Sequence, residues 1–287
     1  MLRNTFCHIP GIGARYERRL WEAGILTWDD FLANATEESI PRLPARAGTL
    51  ENVKALVAES VKRLEANNPI YFSALLPARE QWRIFSEFRG KVAYLDIETN
   101  GYMGPRGYIT AISLYDGTTV HNYVKDRNLD SFRYDIQKYR LLVTYNGKCF
   151  DLPFIENQFG MRLNRAHLDL RYILADLGFK GGLKGCEKLI GIDRGELSGV
   201  DGYFAVLLWR DFKRNRNPKA LETLLAYNAQ DVINLEPLMV TSYNMKLEKT
   251  PFTASHLLKA GKAPSSSFRP DMETIDRIRT SIAAANP

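Results

Sequence analysis

The sequence predicts an α/β protein, a mixed sheet covered by helices with a small all-α module ahead of it. Three observations carry that prediction. Residues 91–124 read as consecutive strands, two of them joined at Asp116-Gly117, a strong hairpin signal. Beyond residue 129, strand-like runs alternate with helical ones, so the sheet continues with helices on its faces. Residues 1–68, in contrast, carry apolar residues at helical spacing.

In chain order, "HIPGIGARYERRLWEAGILTWDDFL" places Pro-Gly-Ile-Gly before a helix with Leu20 and Trp21 on its apolar side and Gly24 as its stop. Thr27 has the chemistry of an N-cap, and Asp29 and Asp30 suit the positive end of the short helix that follows. A longer helix is expected over 51–64, with Val53, Leu56, Val57, Val61 and Leu64 on one side. "IPGIG" resembles the hairpin of helix-hairpin-helix modules, whose Gly-rich turn offers backbone N–H groups to phosphates. Docking of a protein partner is the other reading of the 1–68 module. Residues 69–90 connect it to the second unit, with a helix carrying Trp82, Ile84, Phe85 and Phe88 across the junction.

"KVAYLDIETN" alternates as a strand should: Ala93, Leu95 and Ile97 face one way, while Val92, Tyr94, Asp96 and Glu98 face the other. A helix near 129–138 precedes "LLVTYN", the fourth strand, which ends at the turn signal Asn146-Gly147. "AHLDLRYILADLG" reads as a short strand entering a helix capped by Asp169. "GGLKGCEKLIGI" and "VDGYFAVLLWRDFKRN" read as further helices, and 218–247 as one long helix, so that the second unit spans 91–249. The tail, 250–287, combines a flexible "KAPSSSFRP" with a final helix whose Met272, Ile275, Ile278 and Ile282 are expected to dock on the body.

Composition narrows the class of function. No run approaches the ~18 apolar residues that cross a bilayer, and "MLRNTFCHIPGIG" lacks the apolar centre of a signal peptide, so a cytoplasmic protein with no membrane partner is expected. Cys7, Cys149 and Cys186 are odd in number, far apart and without a C-x-x-C pair, which suggests neither a disulfide framework nor a zinc site. A formal net charge of +6 favours a polyanionic partner. The basic strip "WRDFKRNRNPK" offers Arg214 and Arg216 as phosphate contacts, or else a solvated face.

The acids point to chemistry. Asp151 stands among Phe150, Leu152, Pro153 and Phe154, where an ionised carboxylate is costly unless a cation or a hydrogen-bond donor meets it. Tyr227 and Asp231, four residues apart on the long helix, project from one face. Two carboxylates ~4 Å apart repel by about 4 kcal/mol at an effective dielectric of about 20, so converging acids need cations or raised pKa values. An all-oxygen set without nearby His or Cys favours Mg2+ or Mn2+ over zinc. Plainer roles stand beside these: Asp151 as a helix cap, Tyr227 and Phe150 as core packing, and His167 as a hydrogen-bonded structural residue.

"DIET", "NGKCFD" and "YNAQD", in that order, resemble the three exonuclease motifs of the DEDD superfamily, in the branch whose last motif carries tyrosine. With "VTYNGKCFDLPFI", "HLDL", "LKGCEKLIGIDR" and "NAQDV" in sequence, the closer resemblance is to YprB-type ribonuclease H-like domains. That resemblance implies a ribonuclease H-like mixed sheet of five to six strands whose central strand carries Asp96 and Glu98. It implies a 3′–5′ exonuclease acting on single-stranded DNA or RNA ends with two divalent ions, Mg2+ or Mn2+. Asp96 would bridge the ions, Glu98 and Asp231 would hold the one that activates water, Asp151 would stand at the second, and Tyr227 would orient the water. Thr99, Asn100, Asn146 and Phe150 are candidate contacts to the terminal nucleotide. A non-catalytic binding or docking module and a structure-selective endonuclease are the alternatives, since the chemistry alone does not fix where a strand is cut.

Overall fold

Capping chemistry sets the helix starts in the N-terminal region of the computed structural model, which describes residues 1–264 and 267–285. Helix α1 (Ala14–Glu22) ends where Gly24 takes a left-handed φ of 82°, which glycine adopts without steric penalty. Thr27 and Asp30 exchange hydrogen bonds with each other's backbone N–H, a capping box that starts α2 (Trp28–Asn34). Thr49 starts α3 (Leu50–Glu65), and Asn68 starts α4 (Pro69–Leu75) with Pro69 at its first position. The Pro10–Gly13 turn lies against residues 45–47, and a Cβ on Gly11 would come within 2.7 Å of the Ala47 nitrogen.

The junction departs from the single helix expected there. A 3-10 stretch, Ala78–Ile84, leads into the one-turn α5 (Phe85–Phe88), followed by a second 3-10 turn, Arg89–Lys91. Residues three apart eclipse one another in 3-10 geometry, which puts Trp82, Phe85 and Phe88 on one side. All three are buried, and the Trp82 and Phe85 rings lie 5.3 and 6.2 Å from that of Tyr243. The 129–138 segment is likewise a 3-10 turn, α6 (Phe132–Asp135) and another 3-10 turn.

Strands β1 (Val92–Thr99), β2 (Ile109–Tyr115), β3 (Val120–Val124), β4 (Leu141–Thr144) and β5 (Ala166–Asp169) form one mixed sheet in the order β3-β2-β1-β4-β5. The first three pair antiparallel, and β4 and β5 add parallel to β1, so β1 is central. Helices α7 (Asp151–Phe159), α8 (Leu170–Asp176), α9 (Gly182–Ile190) and α10 (Gly202–Asn215) follow, and then α11 (Pro218–Leu247), capped by Asn217. Short α12 (Thr253–His256) and α13 (Met272–Ala285) close the chain. The flexible "KAPSSSFRP" expected between them falls partly on residues 265 and 266, outside the described residues.

The alternation of β1 divides the core. Ala93, Leu95 and Ile97 cluster with Ile112, Leu142, Phe132 and Ile155 on one face. On the other, Val92 and Tyr94 join Tyr115, Val143 and the α11 residues Val232, Leu235, Met239 and Tyr243. That cluster runs on without a break into Phe6, Leu20, Trp28 and Phe72 of the N-terminal region. Buried Glu17 adds a polar tie: it takes Arg83 at 3.0 Å and accepts from the Thr5 hydroxyl and the Phe6 N–H. Ile275, Ile278 and Ile282 of α13 pack with α10 and α11, and Arg277 pairs with Asp211 at 2.5 Å, so the final helix docks through these residues, while Met272, expected on the same side, is exposed at its first position.

Candidate active site

The site forms where β1 outruns its parallel neighbour. The β1–β4 ladder ends at Tyr94 opposite Val143, so the segment carrying Asp96 and Glu98 has no β4 partner on that side. The Ile97 N–H there is met instead by Asp151, whose Oδ1 accepts it at 3.1 Å. A backbone N–H is therefore one answer to what meets this buried acid. The residue before it, Phe150, occupies the N-cap position of α7, and Asp151 is the first helical residue rather than the cap.

The turn that delivers Asp151 is held from β5. Asp169 caps α8 through the Arg171 N–H at 3.0 Å, and it also accepts the N–H groups of Asn146 and Lys148 at 2.7 and 3.0 Å. Asn146 sits at a left-handed φ of 65°, and its side-chain oxygen accepts from Arg171 at 2.6 Å. Gly147 is required by a close approach, since a Cβ there would lie 2.3 Å from the Thr144 hydroxyl. Sequence reasoning gave Asp169 the cap alone and missed its grip on the turn. Asp169→Ala is expected to cost about 2–3 kcal/mol, the worth of charge-assisted bonds lost at a buried acceptor. Urea unfolding would measure it.

Helix α11 supplies the opposite wall. Asp96, Glu98 and Asp231 each place a carboxylate oxygen within 4.8 Å of the others. Asp151 stands outside that trio but lines the same cleft of ≈410 Å³, together with Thr99, Tyr145, Asn146, Phe150 and Tyr227. Burial, followed by mutual repulsion, holds the carboxyls of Asp96 and Glu98 well above the usual range. Burial also raises Asp151, to about 7, against the stabilising N–H of Ile97. Asp231 is raised by burial and partly restored by Arg194.

Several partners of these acids were not anticipated from sequence. Asn228, beside Tyr227, donates to Asp96 Oδ2 at 2.6 Å, a short charge-assisted contact that fixes that carboxylate. Arg194 donates to Asp231 at 2.5 Å and grips Glu187 with two nitrogens at 2.5 and 2.7 Å, while Asn234 donates to Glu187 at 2.8 Å. Lys184 and Arg194 lie over the Tyr227 ring, 4.9 and 5.8 Å from its centre. Burial and the charges of Asp231, Glu98 and Asp96 push the Tyr227 phenol far above its ordinary value, so it is a neutral donor or acceptor rather than a base.

The other sequence candidates fall in different places. Thr99 is buried and accepts from the Gly101 N–H at 3.3 Å. Asn100 is also buried and spends its side chain on the backbone of Tyr102, Arg106 and Tyr108, shaping the 100–108 loop. Phe150 is half-buried against Phe154. Arg214 is exposed and lines a separate groove with Tyr203 and Ile282, and exposed Arg216 ends α10 in a left-handed conformation. His167 bonds to the Thr144 hydroxyl at 2.9 Å, with burial lowering its pKa to about 4, as suits a structural residue.

A family model matches residues 93–243, more than half of the chain and all five strands of the sheet. The chain belongs to the RNase H superfamily. Superfamily membership and the acidic trio of Asp96, Glu98 and Asp231 together support a nuclease. No curated protein matches the chain. Among solved structures, the family B DNA polymerase from the hyperthermophilic archaeon Pyrobaculum calidifontis is similar, at 20% identity and a TM-score of 0.42, over 55% of this chain and 24% of that one. The match thus corresponds to a minor part of the polymerase. Among the described residues, no helix of this RNase H-like protein is long and apolar enough to cross a membrane.

The acidic cleft fits divalent cations by its donor chemistry. The groups that could hold an ion there are carboxylate oxygens, which suit hard divalent cations. Asp96, Glu98, Asp151 and Asp231 carry four potential negative charges, while the cations that bear most on Glu98 and Asp231 are Lys184 and an Arg194 already shared with Glu187. The excess of negative charge adds to burial in raising the carboxyl pKa values, and bound cations would relieve it.

Proposed function

We propose that this protein is a metal-dependent 3′–5′ exonuclease of the tyrosine-bearing DEDD type, acting on single-stranded ends of DNA or RNA. The observation that carries this reading is the meeting of Asp96, Glu98 and Asp231, with Tyr227 and Asp151 in the same cleft. Two Mg2+ or Mn2+ ions held by Asp96, Glu98, Asp151 and Asp231 would supply the charge neutralisation that a phosphodiester displacement requires. Asp96 is kept in position by Asn228, Asp231 by Arg194, and Asp151 by the Ile97 N–H and the turn anchored on Asp169. Tyr227, neutral and fixed beneath two cations, is suited to orient a water by its hydroxyl. The order of the motifs supports the YprB-type affinity, and a cytoplasmic setting and a protein partner at the 1–68 module belong to the same proposal.

The test is cleavage of end-labelled oligonucleotides with free or blocked 3′ ends, in Mg2+ or Mn2+. Stepwise shortening from the free 3′ end, stopped by the block, is expected. Internal cuts in the blocked strand would make the protein an endonuclease, and no cleavage in either metal would make it a binding module. Tyr227→Phe keeps the ring beneath Lys184 and Arg194 and removes only the hydroxyl. It should lower the single-turnover rate by about 10²-fold, the low end for loss of one preorganised hydrogen-bonding group.

A further inference from the structure

Two neighbouring elements at the mouth of the cleft both present large side chains to solvent. The 100–108 loop displays Tyr102 and Met103, which are 45% and 71% exposed, and the first turn of α10 displays Tyr203, 61% exposed. All three line the acidic cleft. Exposed apolar side chains clustered at the mouth of a cleft mark a contact surface rather than ordinary packing. The loop holds them there firmly. Buried Asn100 binds three of its backbone groups, and Gly101 packs so closely on α10 that a Cβ would lie 3.0 Å from Val206. At Gly107 a Cβ would meet the Tyr102 carbonyl oxygen at 2.4 Å. A rigid loop that shows aromatic rings to solvent is organised for a ligand.

Charge says what kind of ligand. Arg106 from the loop and Arg210 from α10 both lie over the Tyr102 ring, 5.1 and 5.9 Å from its centre. Aromatic faces interleaved with guanidinium groups at the entrance to a carboxylate cleft suit a strand with flat bases and an anionic backbone.

We propose that Tyr102 and Tyr203 form a stacking platform for unpaired bases of a single-stranded nucleic acid, with Arg106 and Arg210 holding its phosphates as it enters the cleft. This rests on the nuclease reading above and names what that site selects: strands with unstacked bases, of any sequence, in preference to duplex. Every base has a π-face, so stacking tolerates sequence, whereas paired bases inside a duplex have no face to offer the rings.

The test separates this from the chemistry. Binding is measured with the full chain in EDTA, where cleavage does not intervene, by fluorescence anisotropy of labelled single-stranded DNA, single-stranded RNA of the same sequence, and a blunt duplex. Tyr102→Ala and Tyr203→Ala should each weaken single-strand binding about 5- to 100-fold, as loss of a stacked base implies. Both should leave duplex binding unchanged, and Tyr102→Phe and Tyr203→Phe should bind like the parent. A 2-aminopurine at the 3′ end should lose fluorescence on binding the parent and regain it in the alanine variants. Single-strand affinity within twofold of the parent in both alanine variants overturns the platform, even if the parent cleaves. Weakened binding in those variants with a parent that never cleaves supports the platform and removes the exonuclease reading.

Discussion

Glu98→Gln should abolish metal-dependent cleavage, by about 10³-fold or more, and at the same time make the metal-free protein more stable. The first effect follows from removing one carboxylate of the trio that would hold the ions, where members of a cooperating set cost nearly the whole activity when lost singly. The second follows from the electrostatics. Glu98 is buried, and after burial the largest influences raising its pKa are the charges of Asp231 and Asp151. Asp96, Asp151 and Asp231 are raised as well. For a carboxyl with a raised folded pKa, the folded state binds more protons than the unfolded one between the two values. Stability is therefore greatest below the ordinary carboxylate range and falls as pH rises through the folded value, which is about 7 for Asp151. In EDTA the protein should melt at a lower temperature at pH 8 than at pH 5.5, and Mg2+ or Mn2+ should reverse the loss. Glutamine has the shape of Glu98 without its charge, so the variant in EDTA at pH 8 should gain about 1–3 kcal/mol, or roughly 2–8 °C. Calorimetry at the two pH values checks this. A variant that melts like the parent in EDTA, or still cleaves, would mean that the acids do not share a charged site.

This tension between stability and chemistry explains why the site was legible in the sequence. Carboxylates on an apolar strand and after an apolar turn have no structural justification of their own, so Asp96, Glu98 and Asp151 stood out. Tyr227 and Asp231 followed from helical spacing on α11. Asp271-Met272-Glu273 repeats the Asp-x-Glu spacing and Tyr172 with Asp176 the Tyr-x-x-x-Asp spacing, but these acids have ordinary partners: Asp271 binds the Thr274 N–H and pairs with Lys219, and Asp176 pairs with Lys246. The sheet was legible too, because the alternation in β1 matches the division of the core on its two faces. The one-helix reading of the junction failed because apolar residues at 82, 85 and 88 satisfy a three-residue period as well as the longer period of an α-helix. Least legible were the residues that act through others. Arg194 lies far along the chain from Asp231, and in sequence it is one arginine among many. Nothing local marks it as the partner of a distant acid. The same is true of Tyr102 and Tyr203, which come to one cleft only because the loop after β1 packs on α10.

Arg194→Ala should be the most damaging single change to the fold among the polar residues around the site. The guanidinium is 7% exposed and bridges two acids, Glu187 at 1% and Asp231 at 6%, each at 2.5 Å. Burial by itself would lower the pKa of Arg194, but the two carboxylates outweigh it and hold the charge in place. Removing the cation leaves Glu187 charged and buried with the Asn234 amide and the more distant charge of Lys184 to answer it, and leaves Asp231 facing Asp96 and Glu98 with less compensation. Breaking a buried pair from one side in this way costs about 3–5 kcal/mol. For a protein of this size that is a fall of roughly 10 °C. High salt should not mask the effect, because buried pairs are screened far less than exposed ones. Divalent metal should restore only part of the loss, since ions in the cleft would answer Asp231 but not Glu187. Pairing the change with a second one separates fold from function: Arg194→Met with Glu187→Gln removes the cation and one of its two acids and should recover part of the stability, because Glu187 is then no longer an orphaned ion while Asp231 still lacks its partner. Activity should stay low in that double variant, as Asp231 would still lack the donor that sets its orientation. Full recovery of cleavage along with stability would show that Arg194 serves the fold alone.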